Sequence, residues 1–544
     1  MNVFEFLISQ VENTGIKHIF GVPGDYVLEL YSKFSKSKKL EVVNCTDENH
    51  AGAAADAYAR VTGVGCVMVT YNVGALKIAN SVACAYAERS PMIVICGSPG
   101  IKERQEGMLL HHMVRSFESQ KEVFERWTCD QAVLTNPTTA GFEIDRVIES
   151  MRVNKRPVYI EIPRDVAKMS LTYDVYKQGT PEIKDSDPQS LEDLLEEVIT
   201  LVDGAKNPVI MAGVEIARFD YGKKLIEFAE HANIPVVTTL LSKSVINERH
   251  PLFKGVYCGD GSQSSTKKIV DESDCILMLG VMLTDMTLSF KPTIFKKKQT
   301  INIGINSLEV KNHSYKNVRF DQFCETLFDV KLKKKSDTEL TVSPSMREFK
   351  FNPEKDKKIT SARFFYKINS ILNKNMAVCA DIGDCIFGAS DLVMHHANHF
   401  LGNAFYTSMG FSIPSALAVQ LAMPKVRPIV LIGDGAFQMC VSELSTIIDR
   451  GLNPIIFVLN NKGYTTERYL LDGPFNNIRN WEYHKVGEIF GNCQGFKVTT
   501  EEELEKAVAI ALDCSEPVVL NVEVDPKDTS VGLKRLTEGL AKKI

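Results

Sequence analysis

Two apolar runs, Pro428–Ile432 and Pro454–Leu459, each lead into polar residues: Gly433-Asp434-Gly435 after the first and Asn460-Asn461 after the second. Asp434 and Asn461 stand 27 positions apart (461 − 434), room for a strand, a helix and a second strand. Each strand then delivers one oxygen ligand to the same rim of a parallel sheet, where open α/β sheets bind ligands. A carboxylate and an amide oxygen suit a hard cation such as Mg²⁺ rather than a soft metal. The other Gly259-Asp260-Gly261 has Thr287 at that distance and no Asn pair. It reads as a turn, because Gly supplies positive φ and Asp caps helices.

Similar short runs recur between helical patterns: Val67–Thr70, Met92–Cys96, Val158–Ile162, Val209–Met211, Val236–Thr239, Ile276–Leu279, Ile301–Ile303, Val378–Ala380 and Val518–Val522. Buried strands alternating with helices imply parallel sheets. Stretches near Thr172–Gln189 and Lys331–Lys358 lack periodicity and read as linkers. The expectation is three doubly wound α/β domains, at 1–172, 190–330 and 359–544.

The first and third pieces share an order of elements. Gly52–Gly97 reads as a small-residue helix, a strand ending in Thr70, a turn at Gly74, a helix, and Pro91 opening a strand. Gly410–Asn461 repeats it: a helix, a strand to Ile432, a turn at Gly435, a helix, and Pro454 opening a strand. An internal duplication would place two related domains around one site.

Composition narrows the partners. A net charge of −5 and short basic runs, Lys296–Lys298 and Lys333–Lys335, without aromatics do not suggest nucleic acid. No apolar run approaches bilayer length, and Met1–Glu5 lacks a secretory pattern. Thirteen cysteines without CxxC spacing read as reduced core residues. A cytoplasmic location is expected, with no membrane partner.

Several residues offer acid–base chemistry. Glu48 opens a small-residue helix in Asp47-Glu48-Asn49-His50-Ala51-Gly52, where a carboxylate also suits the helix dipole. Asp25 sits at the tip of Gly21-Val22-Pro23-Gly24-Asp25, and His111-His112 follow Gly107. Adjacent residues point apart on regular structure, so the pair alone reads as one buried and one exposed His. Glu467 stands six positions past Asn461 (467 − 461). Carboxyls and imidazoles titrate near neutrality when partly buried.

Together, the Asp434…Asn461 motif and the set Asp25, Glu48, His111, His112 and Glu467 resemble the thiamine diphosphate-dependent 2-oxo acid decarboxylases that act on pyruvate, indolepyruvate, phenylpyruvate or branched-chain acids. The resemblance spans nearly the whole chain. It implies a pyrimidine-binding, a central and a diphosphate-binding domain. Thiamine diphosphate would sit with Mg²⁺ on Asp434, Asn461 and the Gly463 carbonyl. It would also contact Glu48, Thr70, Gly383, Asp384, Thr407, Met409, Gly435, Ala436 and Tyr464. Met409 occupies the position of the large apolar residue beneath the thiazolium, where pyruvate decarboxylases generally have Ile. Glu48 would act through N1′ of the cofactor, and Asp25, His111, His112 and Glu467 would handle protons and substrate. The implied reaction converts a 2-oxo acid to an aldehyde and CO₂ through the cofactor's ylide and enamine.

Ile386 stands where branched-chain decarboxylases often have Phe, so a substrate larger than pyruvate is expected, with Phe387 and Met286 also in the pocket. Acetohydroxyacid synthases share the cofactor motif but typically lack Glu467 and the His pair, and they remain the alternative. Val209–Glu215 lacks GxGxxG, so FAD is not expected. The family assembles as homodimers or dimers of dimers with sites at the subunit interface, Glu48 of one chain meeting Asp434 of its neighbour.

Overall fold

The apolar runs form three sheets. In this computed structural model, which describes residues 1–171, 184–288, 295, 300–336 and 350–540, every apolar run named above forms a strand, with only Thr70 and Pro454 falling just outside their strands. The first sheet is all parallel, in the order Glu41–Asn44, His18–Gly21, Gly65–Val69, Met92–Ser98, Val158–Pro163 and Asp130–Val133. The third, also all parallel, runs Phe400–Leu401, Met376–Ala380, Arg427–Gly433, Ile455–Asn460, Val518–Glu523 and Gln494–Val498. Numbered along the chain, both sheets have the strand order 2-1-3-4-6-5.

The middle sheet departs from the expected all-parallel form. Five parallel strands, led by Thr300–Gly304, continue into Ser307–Val310 and His313–Ser314, which pair antiparallel. A two-residue connection, Ile305-Asn306, permits only a hairpin, since a parallel return needs a long crossover. Gly259–Gly261 forms a short 3₁₀ turn, as its lack of an Asn partner suggested.

By packing, the chain divides into two compact units. One comprises Met1–Ile183 with 413–426 and 440–452; the other comprises Lys184–Ser412 with 427–439 and 453–544. The Lys296–Lys298 run lies outside the described residues, as do 172–183 and 337–349 within the two expected linkers. Among the described residues no helix is long and apolar enough to cross a membrane.

The core explains why parallel strands read as unbroken apolar runs. Met92–Ser98, Val158–Pro163, Ile455–Asn460 and Met376–Ala380 are buried at every position, so both faces of each strand are covered by helices. In both six-stranded sheets the order reverses between the first and third strands. Loops leaving the carboxyl ends of those two strands border a crevice, the usual ligand position in doubly wound sheets.

Candidate active site

In the third sheet the first and third strands end at Ala380 and Gly433, and their loops carry carboxylates. Asp434 is 1% exposed. Its Oδ1 accepts the Gly435 N–H at 2.9 Å and its Oδ2 the Gly463 N–H at 3.0 Å. Burial pushes its pKa up to about 6, although those amides favour the charged form. Asp384, at the N-terminus of Asp384–Ala389, accepts the Ser530 N–H at 3.0 Å through both oxygens, and burial pushes it too up to about 6.

The two asparagines of the pair divide their work. Asn460 Nδ2 donates to Asn521 Oδ1 at 3.0 Å, inside the sheet. Asn461, 5% exposed, has a buried Oδ1 without a hydrogen-bond partner. A buried amide oxygen in that state costs about 1–3 kcal/mol unless a ligand satisfies it. It lines the same cleft as Asp434, which presents a carboxylate held by backbone amides. This oxygen pair fits a hard divalent cation. Gly463 has φ +144°, and a Cβ there would lie 2.1 Å from the Asn476 carbonyl, so the turn tolerates only glycine.

The cleft has a volume of about 700 Å³. Its lining includes Gly383, Asp384, Thr407, Met409, Asp434, Gly435, Ala436, Asn461, Gly463, Tyr464 and Glu467. Met286 and Phe387 line it as well. Ile386 does not: it is fully buried, with its Cδ1 2.7 Å from where a Gly402 Cβ would be. That corrects its expected place in the pocket. On a helix, consecutive residues point about 100° apart, so Phe387 can face the cleft while Ile386 faces the core.

Two residues here escaped the sequence reading. Asp381 is fully buried, with its pKa raised by burial, and accepts the Gly410 N–H at 3.0 Å and the Ser412 N–H at 2.9 Å. It fixes the turn just after Met409. Arg468 donates from Nη1 to the Asn461 carbonyl at 3.0 Å and from Nη2 to the Lys462 carbonyl at 2.7 Å, clamping the turn that holds Asn461 and Gly463. Only spacing to Asn461 could have signalled Arg468, and nothing local distinguishes Asp381 from a helix cap.

The first unit carries the acid–base groups. Glu48 begins the helix Glu48–Thr62, and its Oε2 lies 2.8 Å from Lys77 Nζ, which also lies 2.5 Å from Asp47 Oδ2. The segment before it is pinned by Glu443, which is fully buried. Glu443 Oε2 accepts Thr46 Oγ1 at 2.8 Å and the Thr46 N–H at 3.1 Å, and meets His50 Nδ1 at 3.2 Å. Burial alone would raise the Glu443 pKa; the His50, Thr446 and Thr46 hydrogen bonds outweigh it and the net shift is downward.

Asp25 Oδ2 and His111 Nε2 are 2.7 Å apart. His112 has φ +66°, and its carbonyl accepts Asn72 Nδ2 at 2.7 Å. Asn72 is itself left-handed at φ +50°, and its N–H donates to Gln120 Oε1 at 2.8 Å. This backbone turns the two imidazoles toward each other, with ring centroids 4.8 Å apart. The divergence of adjacent residues on regular structure therefore does not apply. Thr70 is buried with an unpartnered Oγ1 at the end of the third strand.

The chain is similar to known proteins over nearly its whole length. Residues 1–123 match the thiamine pyrophosphate enzyme N-terminal TPP binding domain, 195–321 its central domain and 381–522 its C-terminal TPP binding domain. The chain is 30% identical to a probable pyruvate decarboxylase of Schizosaccharomyces pombe, over 96% of this chain and 93% of the relative. It is also 30% identical to an alpha-keto-acid decarboxylase of Mycolicibacterium paratuberculosis (96% and 94%) and to an indole-3-pyruvate decarboxylase of Azospirillum brasilense (93% and 92%). The chain belongs to the thiamine diphosphate-dependent 2-oxo acid decarboxylases.

As a member of that family it is an enzyme that uses thiamine diphosphate to decarboxylate a 2-oxo acid. The synthase alternative is not favoured by these relatives. Bound thiamine diphosphate supplies the electron sink that accepts the electron pair left when CO₂ departs.

Proposed function

We propose that this decarboxylase acts on a 2-oxo acid larger than pyruvate, with Mg²⁺ held by Asp434, Asn461 and the Gly463 carbonyl. The observation that carries the metal reading is the buried, unpartnered Asn461 Oδ1 in the cleft that Asp434 also lines. The substrate reading is supported by apolar side chains around Glu467: Met286, Phe387, Leu470, Leu533 and Leu536. An acid with an aryl or branched side chain would cover them.

Within the proposal, Glu48 exchanges a proton with N1′ of the cofactor. Glu467 and Asp25 deliver and remove protons around the departing aldehyde, with His111 and His112 orienting substrate and relay. General acid–base help of this kind is worth roughly 10²–10⁴ in rate. The 1–172, 190–330 and 359–544 segments take the pyrimidine, central and diphosphate roles. A cytosolic location is part of the same reading, consistent with thirteen cysteines that form no disulfide.

The two sets of groups complete each other. One unit carries Glu48, Asp25 and the imidazoles; the other carries the cradle around Asp434. Val73, Leu109 and Val114 stand exposed at 48%, 90% and 65%, on segments adjoining Asn72 and His112. We infer a homodimer or dimer of dimers in which the cradle of one chain faces Glu48 of another. An obligate interface of that kind exceeds about 2,000 Å².

Two experiments test these statements. Comparing kcat/KM for pyruvate, 2-oxoisovalerate, phenylpyruvate and indolepyruvate should favour one of the larger acids; preference for pyruvate overturns the substrate reading. Mixing inactive Glu48→Gln and Asp434→Ala proteins under subunit exchange should restore part of the activity. Failure despite demonstrated exchange overturns the shared site.

A further inference from the structure

We propose that Asp25, His111 and His112 form a second metal site, selective for a borderline transition-metal ion of the Zn²⁺, Co²⁺ or Cu²⁺ class. Among the described residues this is the group of His, Cys, Asp or Glu side chains able to hold an ion, with ligand atoms all within 4.8 Å of one another. The donors are two imidazole nitrogens and one carboxylate oxygen, a set that suits Zn²⁺, Co²⁺ and Cu²⁺ and discriminates against Mg²⁺. Three protein ligands leave a coordination position open, as in catalytic rather than structural zinc sites.

Geometry prepares the site. The Asp25 carboxylate already reaches His111 Nε2 at 2.7 Å, and a divalent ion would replace the proton in that contact. His112 Nδ1 is buried without a hydrogen-bond partner. The left-handed backbone at His112, tied to Asn72 Nδ2, holds its ring at 78° to that of His111. Tyr26 stacks on His111 with centroids 4.9 Å apart, fixing the ring on its other face. Rings whose orientation is set by neighbours are the usual form of metal-binding histidines.

The chain would therefore sort two ions by ligand chemistry, Mg²⁺ to the oxygen pair at Asp434 and Asn461, Zn²⁺ to the imidazoles. An ion on His111 and His112 takes the lone pairs that proton transfer needs, so occupancy inhibits. The inhibition, though not the binding, rests on the proposed roles of these histidines.

The test is titration of the full chain with Co²⁺ in a large excess of Mg²⁺, following visible absorption and metal content, with Cu²⁺ electron paramagnetic resonance to detect nitrogen ligands. One nitrogen-ligated ion per chain is expected. Altering even an outer-shell partner of a metal ligand typically costs about 10- to 100-fold in affinity, so His111→Gln, His112→Gln and Asp25→Asn should each weaken binding at least about tenfold. Asp434→Ala should leave the nitrogen-ligated signal in place. Absence of that signal in the unaltered protein, or its survival in the His111→Gln, His112→Gln double variant, overturns the site. Binding without loss of decarboxylation would instead refute the proton-handling roles and leave the site standing.

Discussion

The first and third sheets share one frame and use it in opposite ways. Gly21 pairs with Met68 in the first, and Ala380 with Leu431 in the third. Counting on from those residues, Gly24-Asp25 corresponds to Gly383-Asp384, and Tyr71 to Asp434. In the third sheet the carboxylates are buried and bound by backbone amides, which cannot leave; that arrangement would hold an ion still. In the first, Asp25 is 40% exposed in its side chain and bonded to an imidazole, which can gain or lose a proton. The frame dictates where chemistry can be placed, and the partner of each carboxylate decides whether it holds or transfers charge.

Breaking either side should therefore produce different failures. The largest effect belongs to the third sheet: Asp434→Ala should abolish activity because purified protein retains little thiamine diphosphate, measured after acid release. Retention of stoichiometric cofactor without added excess would sink the metal assignment. Glu48→Gln, at the start of a helix packed on the first sheet, should keep the cofactor and lower kcat by roughly 10²–10⁴, with slowed exchange of the cofactor C2 proton read by NMR. Equal cofactor loss in both variants would erase the proposed division.

A smaller effect is expected one step removed. Asn72→Ala removes the donor to the His112 carbonyl from a left-handed position, and misplacing the imidazole should cost about 10- to 100-fold in kcat with cofactor content unchanged. Wild-type kinetics would show that the His112 backbone needs no such support. On the helix that follows the first strand of the third sheet, Phe387→Ala should change the ratio of kcat/KM for phenylpyruvate and pyruvate by about tenfold. Ile386→Ala should leave that ratio alone and destabilise the fold by about 2–5 kcal/mol, as expected of a core cavity. Chemical denaturation and substrate kinetics on the same preparations separate the two.

The last effect is one of pH. Without cofactor, Asp434 and Asp384 titrate at about 6 in the fold, against about 4 in the unfolded chain. Between those values the folded state binds more protons, so stability falls as pH rises from about 4 to about 6 and stays reduced above. Thermal midpoints across that window should show this decline, and Asp434→Asn should flatten it.

Much of this was legible because buried parallel strands write themselves as apolar runs. Strands the reading passed over are short or polar at the edges, such as Glu41–Asn44 and Gln494–Val498, where one face meets solvent. That Asp434 and Asn461 would line one cleft was legible through spacing along adjacent strands. Convergence of His111 and His112 was not, since it depends on positive φ at Asn72 and His112, which residue identity permits but does not announce. Glu443 and Asp381 were hidden for another reason: they act through contacts distant in sequence, and no local pattern marks them.

The unpartnered Asn461 oxygen reaches beyond catalysis. A protein that folds around an unmet demand for a cation is less stable empty than filled, and ligand that binds only the folded form adds RT ln(1 + [L]/Kd) to its stability. For a newly made chain, a supply of cofactor and cation that bind only the folded form would then bear on survival as well as turnover. Cells short of thiamine would hold fewer copies of this enzyme, because empty molecules unfold and are degraded sooner.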